Sequence, residues 1–214
     1  MKLKTRILFA IPCLAAFMAV TGAAQAATIS GSVWENATSF PNSLPANTAG
    51  LGAPSATFNV DGINFSSSSA VNGYTIGGFL TSGGNTVSNV SASFAGISGN
   101  TLNNSIYEFT GFASLVAGQT YNVIHDDGAI LYIDGVAVID AGAPTAAETS
   151  TFTASTTGTV SFDLLYAEVN GAPAVLTSNL PFVDAAPVPE PSSIMLLGSG
   201  LLGVAGLVRR RMSI

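Results

Sequence analysis

The stretch HDDGAILYIDGVAVID, residues 125–140, carries the strongest structural signal in this chain. Two apolar runs, residues 131–133 and 136–139, flank the pair Asp134-Gly135. A two-residue hairpin turn needs positive φ at both central positions, which Gly adopts freely and Asp tolerates. The stretch therefore predicts a β-hairpin that follows directly on Asp126-Asp127.

Other parts of the chain also have the pattern of strands. Residues 159–164 alternate polar and apolar side chains with period two, and residues 121–124 form a second β-type run. Residues 36–56 and 82–89 are rich in Pro, Asn, Gly or Ser and are expected to be loops. Because no stretch of the domain shows helical periodicity with caps, we predict an all-β fold, an antiparallel β-sandwich or barrel, over residues 27–184.

Charge is distributed very unevenly. All six Lys and Arg residues lie within residues 2–6 and 209–211, whereas eleven of the twelve acidic residues, all but Glu190, lie within residues 27–184. The predicted domain thus has a formal charge of about −11 and no cation to meet a phosphate. Nucleic acids and anionic lipid surfaces are disfavoured as partners, which leaves divalent cations, neutral glycans and other proteins.

The first 26 residues have the three parts of a secretory signal peptide. A basic start is followed by an apolar run over residues 7–20 and by the small-residue site Ala24-Gln25-Ala26. We predict cleavage by signal peptidase before Ala27. Cys13, the only cysteine, is then removed, so the exported domain can form neither a disulfide nor a thiolate metal site.

The C-terminal end has a second set of targeting features. Val188-Pro189-Glu190-Pro191 closes a proline-rich linker, residues 185–191, and precedes an apolar segment, residues 192–208, and a basic tail, residues 209–214. A helix over 192–208 would be about 25 Å long at about 1.5 Å per residue, the short end of what spans a bilayer. The tail residues Arg209, Arg210 and Arg211 would then stay in the cytoplasm.

This end resembles the PEP-CTERM sorting signal of Gram-negative bacteria. The resemblance implies processing by an exosortase, a membrane-embedded cysteine protease, after transient residence in the inner membrane. It also implies an exported protein that reaches the cell surface or the medium. A plain C-terminal membrane anchor is the alternative.

Asp126 and Asp127 are the candidates for chemistry. Two adjacent carboxylates at a strand end repel each other, and a hard cation such as calcium would remove that repulsion by accepting oxygen ligands from both. The spacing is not that of an EF-hand loop. The alternative is a purely structural turn.

The same run and its flanks resemble the protective-antigen-type domain shared by bacterial toxins, glycosidases, fibro-slime proteins and yeast flocculins. The segments that carry the resemblance are Ile29–Trp34, Tyr107–Phe109, Asp126–Gly128, Leu131–Gly135, Val136–Asp140 and Phe162–Gly171. In the sugar-binding members, two aspartates joined by a cis peptide coordinate a calcium ion that holds sugar hydroxyls. Carried over, the resemblance implies Asp126 and Asp127 as ligands, with Glu168 or Asn170 completing the shell.

The remaining side chains of interest have plainer interpretations. We expect His125 to be a strand-end side chain rather than a ligand, Tyr132 and Tyr166 to be core or rim aromatics, and Trp34 to be core.

With one histidine, no exported thiol and no G-x-S-x-G motif, we predict no enzyme, although a glycosidase working through two carboxylates stays a remote alternative. We predict a surface or matrix protein whose domain binds calcium and exopolysaccharide or other glycans in adhesion or biofilm. An inert structural surface module is the competing hypothesis.

Overall fold

A computed structural model describes residues 27–37 and 43–184. Twelve strands occur in these residues, and all their pairings are antiparallel. They are β1 Ile29–Trp34, β2 Ala56–Val60, β3 Asn64–Ser67, β4 Val87–Ser88, β5 Ser105–Leu115, β6 Thr120–Asp126, β7 Ala129–Ile133, β8 Val136–Ala141, β9 Glu148–Thr153, β10 Gly158–Glu168, β11 Ala174–Ser178 and β12 Phe182–Val183.

The strands form two sheets. The large sheet has the order β4-β2-β1-β5-β10-β7-β8, with β12 also paired to β5, and the small sheet has the order β3-β11-β6-β9. Rings from the two sheets meet in one core, since the ring centroids of Phe65 in β3 and Phe109 in β5 are 5.4 Å apart. The predicted all-β antiparallel fold is thus confirmed, as a sandwich of two sheets.

The predicted hairpin is present as β7 and β8. Ile133 pairs with Val136, and the turn residues Asp134 and Gly135 have φ values of 46° and 78°. This is the positive-φ turn that the Asp-Gly pair favours. The hairpin belongs to the large sheet, whereas β6, immediately before it, belongs to the small sheet. Asp126-Asp127-Gly128 therefore connects the two sheets.

Short helical segments fill the connection between β3 and β5. Helices α1 (Ile76–Leu80) and α2 (Phe94–Ile97) and two 3₁₀ turns, Asn72–Tyr74 and Ser82–Gly84, lie there. Such short segments have too few residues to show helical periodicity in the sequence, which is why none was predicted. Residues 82–89, expected to be loop, likewise contain a 3₁₀ turn and the two-residue strand β4.

A second, smaller apolar cluster lies on the outer face of the large sheet. It comprises Trp34, Leu44, Ile106, Ile130, Leu165 and Ala167. Residues 43–55 of the predicted loop cover this face: Trp34 Nε1 donates to Gly52 O at 3.0 Å, and the Tyr132 hydroxyl donates to Ala46 O at 2.7 Å.

Within residues 27–37 and 43–184, no helix combines the length and apolar character needed to cross a membrane. The predicted signal peptide, proline-rich linker, transmembrane helix and basic tail lie outside the described residues.

Candidate metal centre between the two sheets

The connection between the sheets buries two adjacent carboxylates. Asp126 ends β6 and is 8% exposed, and Asp127 follows it and is 1% exposed. The peptide bond between them is cis, as the resemblance implied. The next residue must be glycine, because a Cβ on Gly128 would lie 2.5 Å from the carbonyl oxygen of Gly142. Sequence and close packing thus fix both aspartates at the junction.

The Asp127 carboxylate joins two loops to this junction. Its Oδ2 accepts hydrogen bonds from the backbone N–H groups of Val169 and Asn170 at 2.8 and 2.9 Å. Its Oδ1 accepts from Asn170 Nδ2 at 3.0 Å and from the backbone N–H of Thr145 at 3.2 Å. Four N–H donors therefore surround the negative charge, which is how a buried carboxylate stays solvated inside a protein.

Glu168, the last residue of β10, lies beside the two aspartates and is fully buried. Its Oε1 accepts a 2.7 Å hydrogen bond from the hydroxyl of Tyr74, and its Oε2 accepts a 2.9 Å bond from the hydroxyl of Tyr166. The Tyr166 hydroxyl also contacts the backbone oxygen of Asp126. One tyrosine thereby joins Glu168 to the Asp126 backbone.

Asp126, Asp127 and Glu168 can each direct one carboxylate oxygen to a common point. The three oxygens lie within 4.8 Å of one another. The domain has no Lys or Arg to neutralise them. Calcium prefers several oxygen ligands, carboxylates above all, so the donor set is chemically suited to that ion.

Burial raises the pKa of two of these acids. Desolvation raises the pKa of Glu168 to about 8; the tyrosine hydrogen bonds oppose the rise, and the charges of Asp127 and Asp126 add to it. Desolvation, followed by the neighbouring Asp127, also raises the pKa of Asp126. Negative charge is therefore unfavourable at this junction unless a proton or a cation balances it.

His125 is buried beside the candidate metal centre, where it contacts the backbone of Asp127. Its Nδ1 contacts the carbonyl oxygen of Asp127, so Nδ1 carries the proton, and Nε2 lies 3.0 Å from Ser150 Oγ. Glu148 Oε1 is 3.7 Å from the same Nε2. His125 is not part of the three-residue oxygen cluster.

The structure brings together the four residues proposed as ligands from the sequence, in two different ways. Asp126, Asp127 and Glu168 form the oxygen cluster, whereas Asn170 contacts Asp127 through N–H donors. Tyr166 is a buried core residue, as expected, and is also bonded to the site. Tyr74 was missed, because nothing near it in the sequence connects it to a residue 94 positions away.

Residues 187–211 match the family model for the PEP-CTERM protein-sorting motif. The C-terminal segment is a PEP-CTERM motif. It marks the chain as an exported protein that is sorted to the cell surface in Gram-negative bacteria.

Two solved structures resemble the fold over most of their length. One is described as the PA14 sugar-binding domain from an RTX adhesin: TM-score 0.53, 24% identity, covering 73% of this chain and 90% of that one. The other is the PA14 domain of the antifreeze protein MpAFP: TM-score 0.51, 22% identity, covering 76% and 83%. No curated protein matches the chain.

These likenesses establish the fold. The neighbours are described as PA14 domains and not as the protective-antigen-type, fibro-slime or flocculin domains named from the sequence, so a PA14-like β-sandwich is the supported description.

Proposed function

We propose that this protein is an exosortase-sorted surface protein whose β-sandwich binds calcium and, through it, neutral glycans. The observation that carries the proposal is the convergence of the Asp126, Asp127 and Glu168 carboxylates in a domain without basic side chains. A divalent cation at this point would balance the negative charge of these carboxylates, which burial makes unfavourable and whose desolvation is the largest cause of the raised pKa of Glu168.

The ligand class follows from charge and from the neighbouring structures. A domain with eleven acidic residues and no Lys or Arg repels anionic partners, whereas a neutral sugar can offer hydroxyl oxygens to a bound calcium ion. One of the structural neighbours is described as a sugar-binding domain from an adhesin. Exopolysaccharide or the glycans of another cell are the corresponding partners, in adhesion or biofilm formation.

A specific observation favours a second function, an inert structural surface module. Both oxygens of Asp127 are already engaged by four N–H donors that join the loops around residues 145 and 170 to the junction. In that case the two aspartates serve as a turn that fixes the loops, and the domain is a stable spacer.

Calorimetric titration of metal-stripped residues 27–184 with calcium separates the two functions. We expect binding with a rise in melting temperature, because a ligand that binds only the folded state stabilises it. Asp126→Asn combined with Asp127→Asn should abolish the heat, and Asp140→Asn, at an exposed position on β8, should leave it unchanged. Asp126→Asn alone repeats the test without breaking the loop contacts of Asp127.

The absence of heat and of any melting shift at millimolar calcium would support the structural module instead. If calcium binds, a panel of neutral monosaccharides bearing neighbouring hydroxyl pairs is tested with calcium and with chelator. Binding that requires calcium supports the glycan ligand, whereas calcium binding without any sugar binding would limit the proposal to a metal site.

A further inference from the structure

A groove of about 670 Å³ lies on the outer face of the large sheet, away from the metal centre. Its lining includes Thr28, Ser30, Thr110, Phe112, Ser161 and Asp184. On β10 the groove is at Ser161 and Phe162, and Glu168 is six residues further along, about 20 Å at about 3.3 Å per residue. It is therefore a separate surface.

The groove is lined by one exposed aromatic ring, that of Phe112, and by residues with hydroxyl groups. Phe112 is 37% exposed, which makes it an exception among the phenylalanines of the sandwich, most of which are buried. Ser30, Thr110 and Ser161 also line the groove; the Ser161 hydroxyl donates to Asp134 Oδ1, so the donors for a docked segment are the hydroxyls of Ser30 and Thr110. Such a surface suits a mainly apolar segment that also offers backbone carbonyls as hydrogen-bond acceptors.

Asp184, the last residue that the structure describes, lies at the edge of this groove. Strand β12 pairs with residues 112–113 of β5, and β1 pairs with residues 106–110 of the same edge. The two strands therefore meet along one side of β5, and the backbone N–H of Thr28 donates to Asp184 Oδ1 at 2.9 Å. Beyond Asp184, the place beside β5 is occupied by β1.

The segment that follows Asp184 has the composition that fits the groove. Residues 185–191 read AAPVPEP and contain one charged side chain, Glu190. Proline at every second position favours the polyproline II conformation, and proline-rich segments dock in aromatic-lined grooves because little conformational entropy is lost. Seven residues extend about 22 Å at about 3.1 Å each, more than the width of the three strands at the groove.

We propose that this groove binds the chain's own proline-rich linker, residues 185–191, and so holds the sorting motif against the folded domain. Since the linker is attached at the rim, its effective concentration is about millimolar, and a weak contact is sufficient. Exosortase would then meet a motif whose presentation depends on a folded sandwich. Docking does not involve calcium, so the proposal does not depend on the calcium and glycan binding proposed above.

The test uses a synthetic peptide of residues 185–193 and residues 27–184, which contain all residues of both described core clusters. Peptide binding is followed by NMR chemical shifts in an isotope-labelled domain. We expect saturable shifts at the residues of β1, β5 and β10 that line the groove, with a Kd of about 1 mM or below. Phe112→Ser should weaken binding about tenfold, as expected for loss of a central aromatic contact.

Two controls test whether binding is specific to the groove and to the prolines of the peptide. Val136→Ser replaces an exposed apolar residue on β8 and should leave the Kd unchanged. A peptide with Ala at positions 187, 189 and 191 tests the same contact without altering the domain and should bind more weakly. No shifts at 5 mM peptide, a limit of about five times the effective concentration, would overturn the proposal. Shifts elsewhere, or binding insensitive to Phe112→Ser, would also overturn it.

Discussion

The hydroxyl of Tyr74 donates a 2.7 Å hydrogen bond to Glu168 Oε1, although the two residues are 94 positions apart in the chain. Tyr74 belongs to the 3₁₀ turn between β3 and α1, and Glu168 ends β10 in the large sheet. The contact therefore connects the helical connection between β3 and β5 to a carboxylate of the candidate metal centre. Both groups are buried, so neither can replace its partner with water without cost.

Tyr74→Phe removes one of the two hydroxyl donors to Glu168. We expect a loss of about 1–3 kcal/mol in the free energy of unfolding, since a buried acceptor is left without its partner. Urea denaturation of residues 27–184 measures the loss. Tyr132→Phe is the control, because its hydroxyl bonds to Ala46 O at a solvent-exposed position. A Tyr74 variant that is no less stable than the control would show that the buried bond contributes nothing.

Asp163 should make stability depend on pH. It lies on the outer face of β10, opposite Thr110 of β5 and Tyr132 of β7, and its buried Oδ1 has no hydrogen-bond partner among the described residues. Desolvation and then the charge of Glu108 raise the pKa of Asp163 to about 6, from its ordinary value of 3.8. The folded state thus binds a proton more tightly than the unfolded state, and stability decreases as pH rises from about 4 to 6.

Asp163→Asn should remove that dependence. Because this side chain is partly solvated and screened, we expect the variant to gain about 1 kcal/mol relative to wild type between pH 4 and 7. Urea unfolding of both proteins at several pH values gives the difference, in which the contributions of the other carboxylates cancel. A difference that is constant with pH, or that changes with the opposite sign, would contradict the raised pKa.

Gly128→Ala should disrupt the junction between the sheets. The added Cβ would lie 2.5 Å from the Gly142 carbonyl oxygen, and the three nearest atoms are all backbone atoms of Gly142, which limits any adjustment. We expect a destabilisation of about 1–3 kcal/mol, as for other overpacked sites. Gly99→Ala is the matched control, since its Cβ would meet nothing within 4 Å. Equal unfolding free energies for the two variants would indicate that the junction can relax.

Local signals explain which parts of the fold could be predicted from the sequence. The Asp134-Gly135 turn is determined by the conformations of two neighbouring residues, and it was predicted correctly. The pair Asp126-Asp127 was conspicuous because adjacent carboxylates repel.

Trp34 was expected to be core, and it is buried. However, it lies in the outer cluster on the side of β1 opposite Val33, beneath residues 43–55. A loop without regular structure gives no periodic signal that it covers a sheet.

The contacts that complete the site depend on tertiary structure. Glu168 was proposed only through a resemblance, since nothing in its own strand distinguishes it from other acids. The Tyr74 hydroxyl and the backbone N–H of Thr145 reach the centre from loops more than 15 positions away from the residues they contact. Backbone donors are present at every non-proline residue, so no sequence pattern identifies which of them will solvate Asp127.

The two aspartates should respond differently to removal of charge. Asp127→Asn replaces an acceptor surrounded by four N–H donors with an amide that has one acceptor atom, and we expect the metal-free domain to lose about 2 kcal/mol or more. Asp126 is desolvated next to Asp127, and burial raises its pKa, so Asp126→Asn should leave the metal-free stability within about 0.5 kcal/mol of wild type. Under the proposed function, both variants lose the stabilisation by calcium.

Thermal unfolding of each variant, with calcium and with chelator, separates the two roles. In chelator, we expect a lower melting temperature for Asp127→Asn but not for Asp126→Asn. In calcium, we expect neither variant to show the rise in melting temperature. Asp140→Asn should behave as wild type in both conditions, because that side chain is exposed. If Asp126→Asn kept the full calcium shift, Asp126 would not be a ligand. If Asp127→Asn were as stable as wild type in chelator, the four hydrogen bonds to that carboxylate would not hold the loops in place.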